Sequence, residues 1–217
     1  MQNYKYILFD LDGTITDPKI GITTCFQYGL RALGIEEPDL NNLERVIGPP
    51  LKDSFMDFYG LNEKEALAGV EKYRERFADT GIYENKIYDG MKELLYGLKE
   101  QGKELAVASS KPTVFVERIC DYFEIRRYFH HLTGSFLDGR RSAKDEVVDA
   151  AINGFGHIEH NSIIMVGDRR YDVEGAHARN IPCIGVEYGY ARPGELQAAG
   201  ADYIAASVQS LADLLLL

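Results

Sequence analysis

Residues 4–14 read Tyr-Lys-Tyr-Ile-Leu-Phe-Asp-Leu-Asp-Gly-Thr, and this stretch constrains the fold more than any other. Its first six residues are mostly apolar and aromatic, with the length and composition of a strand. Asp10 and Asp12 follow, separated by Leu11. Gly13 then supplies a sharp turn and Thr14 a hydroxyl. Side chains two apart on a strand share a face. A strand that runs on to Asp12 therefore aims both carboxylates at one small volume beyond its end. Like charges that close repel, and one of them keeps its proton unless a cation lies between them. A hard divalent ion such as Mg2+ takes oxygen ligands and relieves the repulsion. A carboxylate beside such an ion can attack an electrophile such as phosphorus. The same letters also read as a strand entering an acidic Asp-Gly turn, and on the motif alone the two readings weigh equally.

The rest of the composition narrows the class. A chain of 217 residues is one large domain or one domain with an insertion. Its 45% hydrophobic and 27% charged residues suit a soluble globular protein. A net charge of -10 argues against a nucleic acid polymer or an anionic membrane as the main partner. It leaves room for a small anionic substrate, because a local field and a metal ion override the global charge. Cys25, Cys120 and Cys183 are far apart, show no ligand spacing and lie among apolar neighbours. They read as buried free thiols, which fits a cytoplasmic location. The first residues show no leader pattern, and no apolar run approaches the ~18 residues of a membrane span. Residues 214–217 read as a docked helix end. Oligomeric state is left open between a monomer and a small homo-oligomer.

After Thr14 the pattern turns helical. Phe26, Gly29, Leu30 and Leu33 recur at helical spacing, as do Ala66, Gly69, Val70, Tyr73 and Phe77. Leu51, Phe55 and Phe58 form a third stripe. Asp17-Pro18 and Thr80-Gly81 read as hinges. From residue 89 onward strands and helices alternate. Helix faces are marked by Met91, Leu94, Leu95 and Leu98, by Val116, Ile119, Cys120 and Phe123, and by Val148, Ala151, Ile152 and Phe155. Strands are expected over 104–108, 128–133, 161–166 and 182–186, with a short last one at 203–205. This alternation predicts an α/β, doubly wound, mostly parallel Rossmann-like sheet with an inserted α-helical cap domain. The core domain covers 1–16 and 83–217, and the cap 17–82. Ligands in such sheets bind beyond the carboxyl ends of the strands. Polar residues stand at three of those ends: Asp10 and Asp12, Ser109 and Ser110, and Asp168.

Each of these groups has a bland reading beside the functional one. Ser109 and Ser110 precede a helix start, where a hydroxyl and free N–H groups make an anion site, or simply a cap. Lys111 can reach a phosphate or can be a solvated loop charge. Lys144 falls in the first turn of a helix, where the dipole disfavours a cation. That hints at carboxylate or substrate partners, with Arg140 and Arg141 as rivals. Asp168 and Asp172 lie one helical turn apart and can converge on a cation, or can be an N-cap and a dipole-favoured acid. His130, His131, His157, His160 and His177 show no ligand geometry, and the 14 tyrosines read mainly as packing.

Together these elements resemble the haloacid dehalogenase-like hydrolase superfamily over nearly the whole chain. Residues 10–14 are similar to its first motif, Ser109 to its second, Lys144 to its third, and Gly167-Asp168 through Asp172 to its fourth. The helical insertion is similar to the C1-type cap of the phosphoglycolate phosphatase-like subgroup, and Gly48-Pro49-Pro50-Leu51 stands where that subgroup carries a cap loop. The resemblance implies a Mg2+-dependent phosphatase acting on a small phosphorylated metabolite through an aspartyl-phosphate. It implies Asp10 as nucleophile and Asp12 as general acid and base. Asp10, Asp168 and the Asp12 carbonyl would hold Mg2+, with Asp172 in support. Thr14, Ser109, Ser110 and Lys144 would bind the phosphoryl group. Arg45, Pro49 and Lys52 of the cap are candidate specificity positions. Dehalogenases of the superfamily lack the second Asp, so Asp12 favours phosphoester chemistry. The third motif here, Ser142-Ala143-Lys144-Asp145, lacks the Lys-Pro of many phosphoglycolate phosphatases and mutases. Phosphoglycolate, a nucleoside monophosphate and a sugar phosphate stay open as substrates. A phosphomutase of the β-phosphoglucomutase type is the alternative activity, and a non-catalytic phospho-ligand sensor the third reading.

Overall fold

The computed structural model describes residues 4–216, so Leu217 of the expected helix end lies outside the described residues. The elements are β1 (Tyr6–Phe9), β2 (Thr16–Asp17), α1 (Lys19–Ala32), α2 (Leu51–Tyr59), α3 (Glu63–Asp79), β3 (Lys86–Ile87), α4 (Met91–Glu100), β4 (Glu104–Pro112), α5 (Thr113–Tyr122), β5 (Phe129–Ser135), α6 (Lys144–Gly154), β6 (Ile163–Gly167), α7 (Arg170–His177), β7 (Cys183–Val186), α8 (Glu195–Ala198), β8 (Tyr203–Ala205) and α9 (Val208–Leu215). Two compact units emerge. One takes in the described residues up to Asp17 and from Ile87 on; the other is Pro18–Lys86.

In the first unit six strands form a sheet in the order β5-β4-β1-β6-β7-β8, every pair parallel. Their sequences explain the parallel choice. Runs such as Ile-Leu-Phe and Ile-Ile-Met-Val are apolar on both faces, as a strand covered on both sides must be. Leu8, Ala106, Ala108, Ile163, Met165 and Cys183 point to one face, where α6, α7 and Leu196 of α8 pack on them. Ile7, Phe9, Leu105, Val107, Ile164 and Val166 alternate with these and are equally buried. The buried stripes of α4, α5 and α9 lie outside the first cluster and belong to that opposite face.

The chain winds outward from β1 in both directions, through β4 to β5 and through β6 to β7 and β8. The order therefore reverses at β1, and the crevice for a ligand opens beside its carboxyl end. The registers set Phe9 beside Val107 and Val166, and the Asp10 N–H continues the ladder to the Val166 carbonyl at 2.9 Å. β4 runs four residues beyond its expected end, with a register break between Ala108 and Pro112.

The second unit is helical. The α1 stripe Phe26-Gly29-Leu30 and the α3 stripe Ala66-Gly69-Val70-Tyr73-Phe77 are buried as their spacing requires. Gly29 and Gly69 let the two helices close: a Cβ on Gly29 would stand 2.8 Å from the Gly69 carbonyl. Phe55 of α2 stacks on Phe26 with ring centroids 4.0 Å apart. Asn62 caps α3 in a capping box with Glu65. Residues 81–86 pack with this unit. Gly21 N–H donates to the Glu84 carbonyl, and Arg76 grips the Glu84 carboxylate with two bonds of 2.7 and 2.8 Å.

Candidate active site

Four strand ends of the first unit meet beside β1. Asp10 leaves β1, with Asp12 two residues on in a tight turn closed by Gly13 N–H to the Thr16 carbonyl. Ser109 and Lys111 come from the end of β4, Asp168 follows β6, and Gly189-Tyr190 follow β7. Lys144 enters from the first residue of α6 and Asp172 from the first turn of α7. Carboxylate oxygens of Asp10, Asp168 and Asp172 all lie within 4.8 Å of one another, and all three residues are buried.

Lys144 stands among them, its Nζ 2.9 Å from Asp10 Oδ1 and 2.7 Å from Asp172 Oδ1, and it donates to the Ala108 carbonyl at 3.1 Å. Lys111 Nζ lies 2.6 Å from Asp12 Oδ2. Four carboxylates against two ammonium groups leave two negative charges uncompensated in a buried site. Asp10 Oδ1, Asp12 Oδ1 and Asp172 Oδ1 are buried and accept no hydrogen bond of good geometry. The charges register the deficit. Burial, then the Asp172 and Asp10 charges, push the Asp168 carboxyl well above the usual carboxylate range. Burial raises Asp172 to about 6 against the pull of Lys144. Burial also raises Asp12, with Lys111 opposing. Burial pulls the Lys144 ammonium down, but Asp10 and Asp172 outweigh it and the net shift is upward. An all-oxygen donor set with orphaned oxygens and a charge deficit of two fits a hard divalent cation such as Mg2+.

Both oxygens of Asp168 are held by hydrogen bonds. Its Oδ1 accepts from Thr14 Oγ1 at 3.3 Å and its Oδ2 from the Tyr190 N–H at 2.7 Å. Gly13, at φ +84°, and Gly189 leave it room: a Cβ on either would come within 2.3 Å of its side chain.

The structure decides several open readings. Asp168 does not cap α7; Arg169 is the residue at that position, and Asp172 Oδ2 accepts its N–H at 3.0 Å. Asp172 thus caps the helix with one oxygen and turns the other to the cluster. Ser109 and Ser110 do not cap α5, whose N-cap is Pro112. Ser109 is 2% exposed and its Oγ accepts the Lys111 N–H at 3.4 Å, while the Ser110 carbonyl accepts from Ser135 Oγ. Arg140 pairs with Asp138, and Arg141 stacks on Phe136 and donates to the Gly134 carbonyl, so neither takes the place of Lys144. The solvated reading of Lys111 is wrong, since its side chain is 8% exposed. Arg45, Pro49 and Lys52 belong to the helical unit. There Arg45 lies over the Phe58 ring, and Lys52 pairs with Glu63.

Three tyrosines that the sequence did not single out join this site. Tyr190 OH donates to Asp17, Tyr188 OH donates to the Thr14 carbonyl at 2.9 Å, and Tyr88 packs edge-on against Tyr188. Burial raises all three hydroxyls. The signal for Tyr188 and Tyr190 was a fourth polar strand end, Glu187-Tyr188-Gly189-Tyr190, after the run 182–186; Tyr88 had none.

Comparison with known proteins gives a consistent picture. The sequence pattern described as haloacid dehalogenase-like hydrolase matches residues 7–186. A protein of Pseudomonas aeruginosa named 5′-nucleotidase is 45% identical over 212 residues, 98% of this chain and 96% of that one. Tyrosine-protein kinase PtkA of Mycobacterium tuberculosis is 34% identical over 188 residues, 87% of this chain and 64% of that protein. The crystal structure of a predicted phosphatase from Clostridium acetobutylicum superposes with a TM-score of 0.96 at 45% identity, covering 99% of each chain.

Proposed function

We propose that this chain, which belongs to the haloacid dehalogenase-like hydrolase family and is an enzyme of its phosphatase kind, hydrolyses small phosphomonoesters, nucleoside 5′-monophosphates first among them, with Mg2+ and through an aspartyl-phosphate. The convergence of Asp10, Asp12, Asp168 and Asp172 with two lysines at the sheet's reversal point carries the reading. The relative named 5′-nucleotidase, similar along nearly its full length, supports the nucleotide preference. No helix among the described residues is long and apolar enough to cross a membrane. The three buried free cysteines support work in the reducing cytoplasm.

In this reading Asp10 gives an electron pair to phosphorus, and the phosphorus–oxygen ester bond breaks. The leaving oxygen keeps that bonding pair and takes a proton from Asp12. Asp12 then takes a proton from water as the water attacks the aspartyl-phosphate, and Asp10 is restored as inorganic phosphate leaves. Ser109 Oγ, the Ser110 N–H, Thr14 and Lys144 hold the phosphoryl oxygens. Asp10, Asp168 and the Asp12 carbonyl would hold Mg2+, with Asp172 in support, and the ion would supply positive charge that lets one anion approach another. The unit Pro18–Lys86 is the proposed cap, and Arg45, Pro49 and Lys52 are its proposed specificity positions.

The test is phosphate release from nucleoside 5′-monophosphates, sugar phosphates and 2-phosphoglycolate, with Mg2+ and with chelator. Release that needs Mg2+, favours nucleotides and is lost in Asp10→Asn is expected. Folded, Mg2+-loaded protein that releases no phosphate from any of them overturns the reading.

A further inference from the structure

Lys111 and Lys144 divide the acids between them. Lys144 sits on Asp10 and Asp172, whereas Lys111 sits on Asp12 at 2.6 Å, with side-chain exposures of 8% and 11% for Lys111 and Asp12. A buried ammonium placed on one carboxylate oxygen fixes the plane of the carboxyl group and differentiates its two oxygens. Asp12 Oδ2 is the one in contact. Asp12 Oδ1 is buried and has no hydrogen-bond partner.

The backbone is built to deliver Lys111 there. β4 pairs regularly with β5 up to Ala108 against Thr133 and resumes only at Pro112 against Ser135. The intervening Ser109, Ser110 and Lys111 form a bulge, a device that re-aims a side chain at a strand end. β5 pins the bulge from the side. Ser135 Oγ donates to the Ser110 carbonyl at 2.8 Å, Thr113 Oγ1 donates to the Ser135 carbonyl at 3.3 Å, and the Gly134 N–H donates to Thr113 Oγ1 at 3.1 Å. Gly134 lies so close that a Cβ there would be 2.3 Å from the Lys111 carbonyl. Pro112 then fixes the backbone that follows.

We infer that Lys111 is a positioning residue for the proton-transfer step. It holds Asp12 by Oδ2, so that Oδ1 carries the proton that goes to the ester oxygen as the phosphorus–oxygen bond breaks. This rests on the proposed role of Asp12 and adds the residue that orients it. The chemistry separates this role from a second phosphate-binding lysine. An alkyl ester leaves as a strongly basic alkoxide and needs the proton; p-nitrophenolate is a weak base and hardly does. A lysine acting through Asp12 therefore matters for alkyl esters, and one acting on the phosphoryl oxygens matters for both.

The experiment measures kcat/KM for adenosine 5′-monophosphate, 2-phosphoglycolate and p-nitrophenyl phosphate, and the inhibition constant of inorganic phosphate, all with saturating Mg2+. Wild type is compared with Lys111→Met, Lys111→Arg and Asp12→Asn. Lys111→Met is expected to lose about 10²-fold on the faster alkyl ester and under ~10-fold on the aryl ester. Phosphate inhibition should stay within about twofold, and Lys111→Arg should recover part of the alkyl loss. Equal losses on both ester types with weaker phosphate inhibition would make Lys111 a phosphate ligand and overturn the inference. Unchanged kinetics in Lys111→Met would overturn it as well. Asp12→Asn separates the two layers. If it shows no alkyl-selective loss, the role of Asp12 fails and Lys111 with it. If it shows that loss and Lys111→Met does not, only the Lys111 inference fails. Mg2+ titration of each variant by calorimetry verifies that the site has folded.

Discussion

Gly189 lies so close to Asp168 that a Cβ on it would stand 2.3 Å from the Asp168 Cβ. No side chain fits there without moving the carboxylate. Gly189→Ala is therefore expected to weaken Mg2+ binding and to lower kcat/KM by roughly 10²-fold, the scale of a displacement near 1 Å. The loss comes from lost space, since Gly189 has no left-handed backbone. Calorimetric Mg2+ titration and phosphate release check it together; wild-type metal affinity in the variant would contradict the account.

Lys144→Met removes the cation between Asp10 and Asp172. With chelator present the variant is expected to lose about 3–5 kcal/mol, because buried carboxylates are left unpaired. Saturating Mg2+ should restore part of that loss through binding to the native state. Urea unfolding with and without Mg2+ reads the difference. Equal losses in both conditions would mean the lysine contributes packing and not charge.

The Arg76–Glu84 pair gives the helical unit a defined pH dependence. The two hydrogen bonds from Arg76 hold the Glu84 carboxyl below its usual value. A depressed carboxylate contributes stability above its unfolded value, roughly pH 4.3, and that stability goes as pH falls through the folded value. Wild type should therefore lose more stability than Glu84→Gln between about pH 5 and pH 3. Parallel urea midpoints for the two proteins across that window would refute the assignment.

Gly69→Ala tests the close approach of α1 and α3. The added methyl would meet the Phe55 ring at 2.9–3.1 Å, and Phe55 is itself stacked on Phe26. Such overpacking costs about 1–3 kcal/mol. Hydrogen exchange should report faster opening in α1 and α3 with little change in the sheet. A uniform effect on both units would show that they do not unfold separately.

The parts of this molecule that were legible in its sequence are those encoded by local rhythm. The apolar run before Asp10, the stripes of α1, α3, α4 and α6, and the alternation of strands and helices after residue 89 all follow from spacing. Lys111 was not legible, because its direction is set by a bulge that exists only where β4 meets β5. Local spacing left Lys144 level with Arg140 and Arg141, and only the motif resemblance singled it out. Gly175 of α7 leaves room for its side chain, since a Cβ there would stand 2.6 Å from Lys144 Cγ. Tyr190 acts on Asp168 through a backbone N–H, which no side-chain pattern announces. Contacts that depend on where two distant segments touch leave no periodic trace.

Placing β1 at the centre of a parallel sheet has a consequence for biosynthesis. Thr14 and Asp168, joined across the site, are 154 residues apart in the chain. At 5–20 residues per second a ribosome needs roughly 8–30 s to make that span. For that time the strand Tyr6–Phe9 is made and its neighbour β6 is not. The helical unit, drawn from one continuous segment, can close on itself meanwhile. The newborn chain thus carries a helical unit able to fold and a strand β1 whose β6 edge stays open even after β4 has been made, and dilution or a chaperone should govern its yield more than its final stability does.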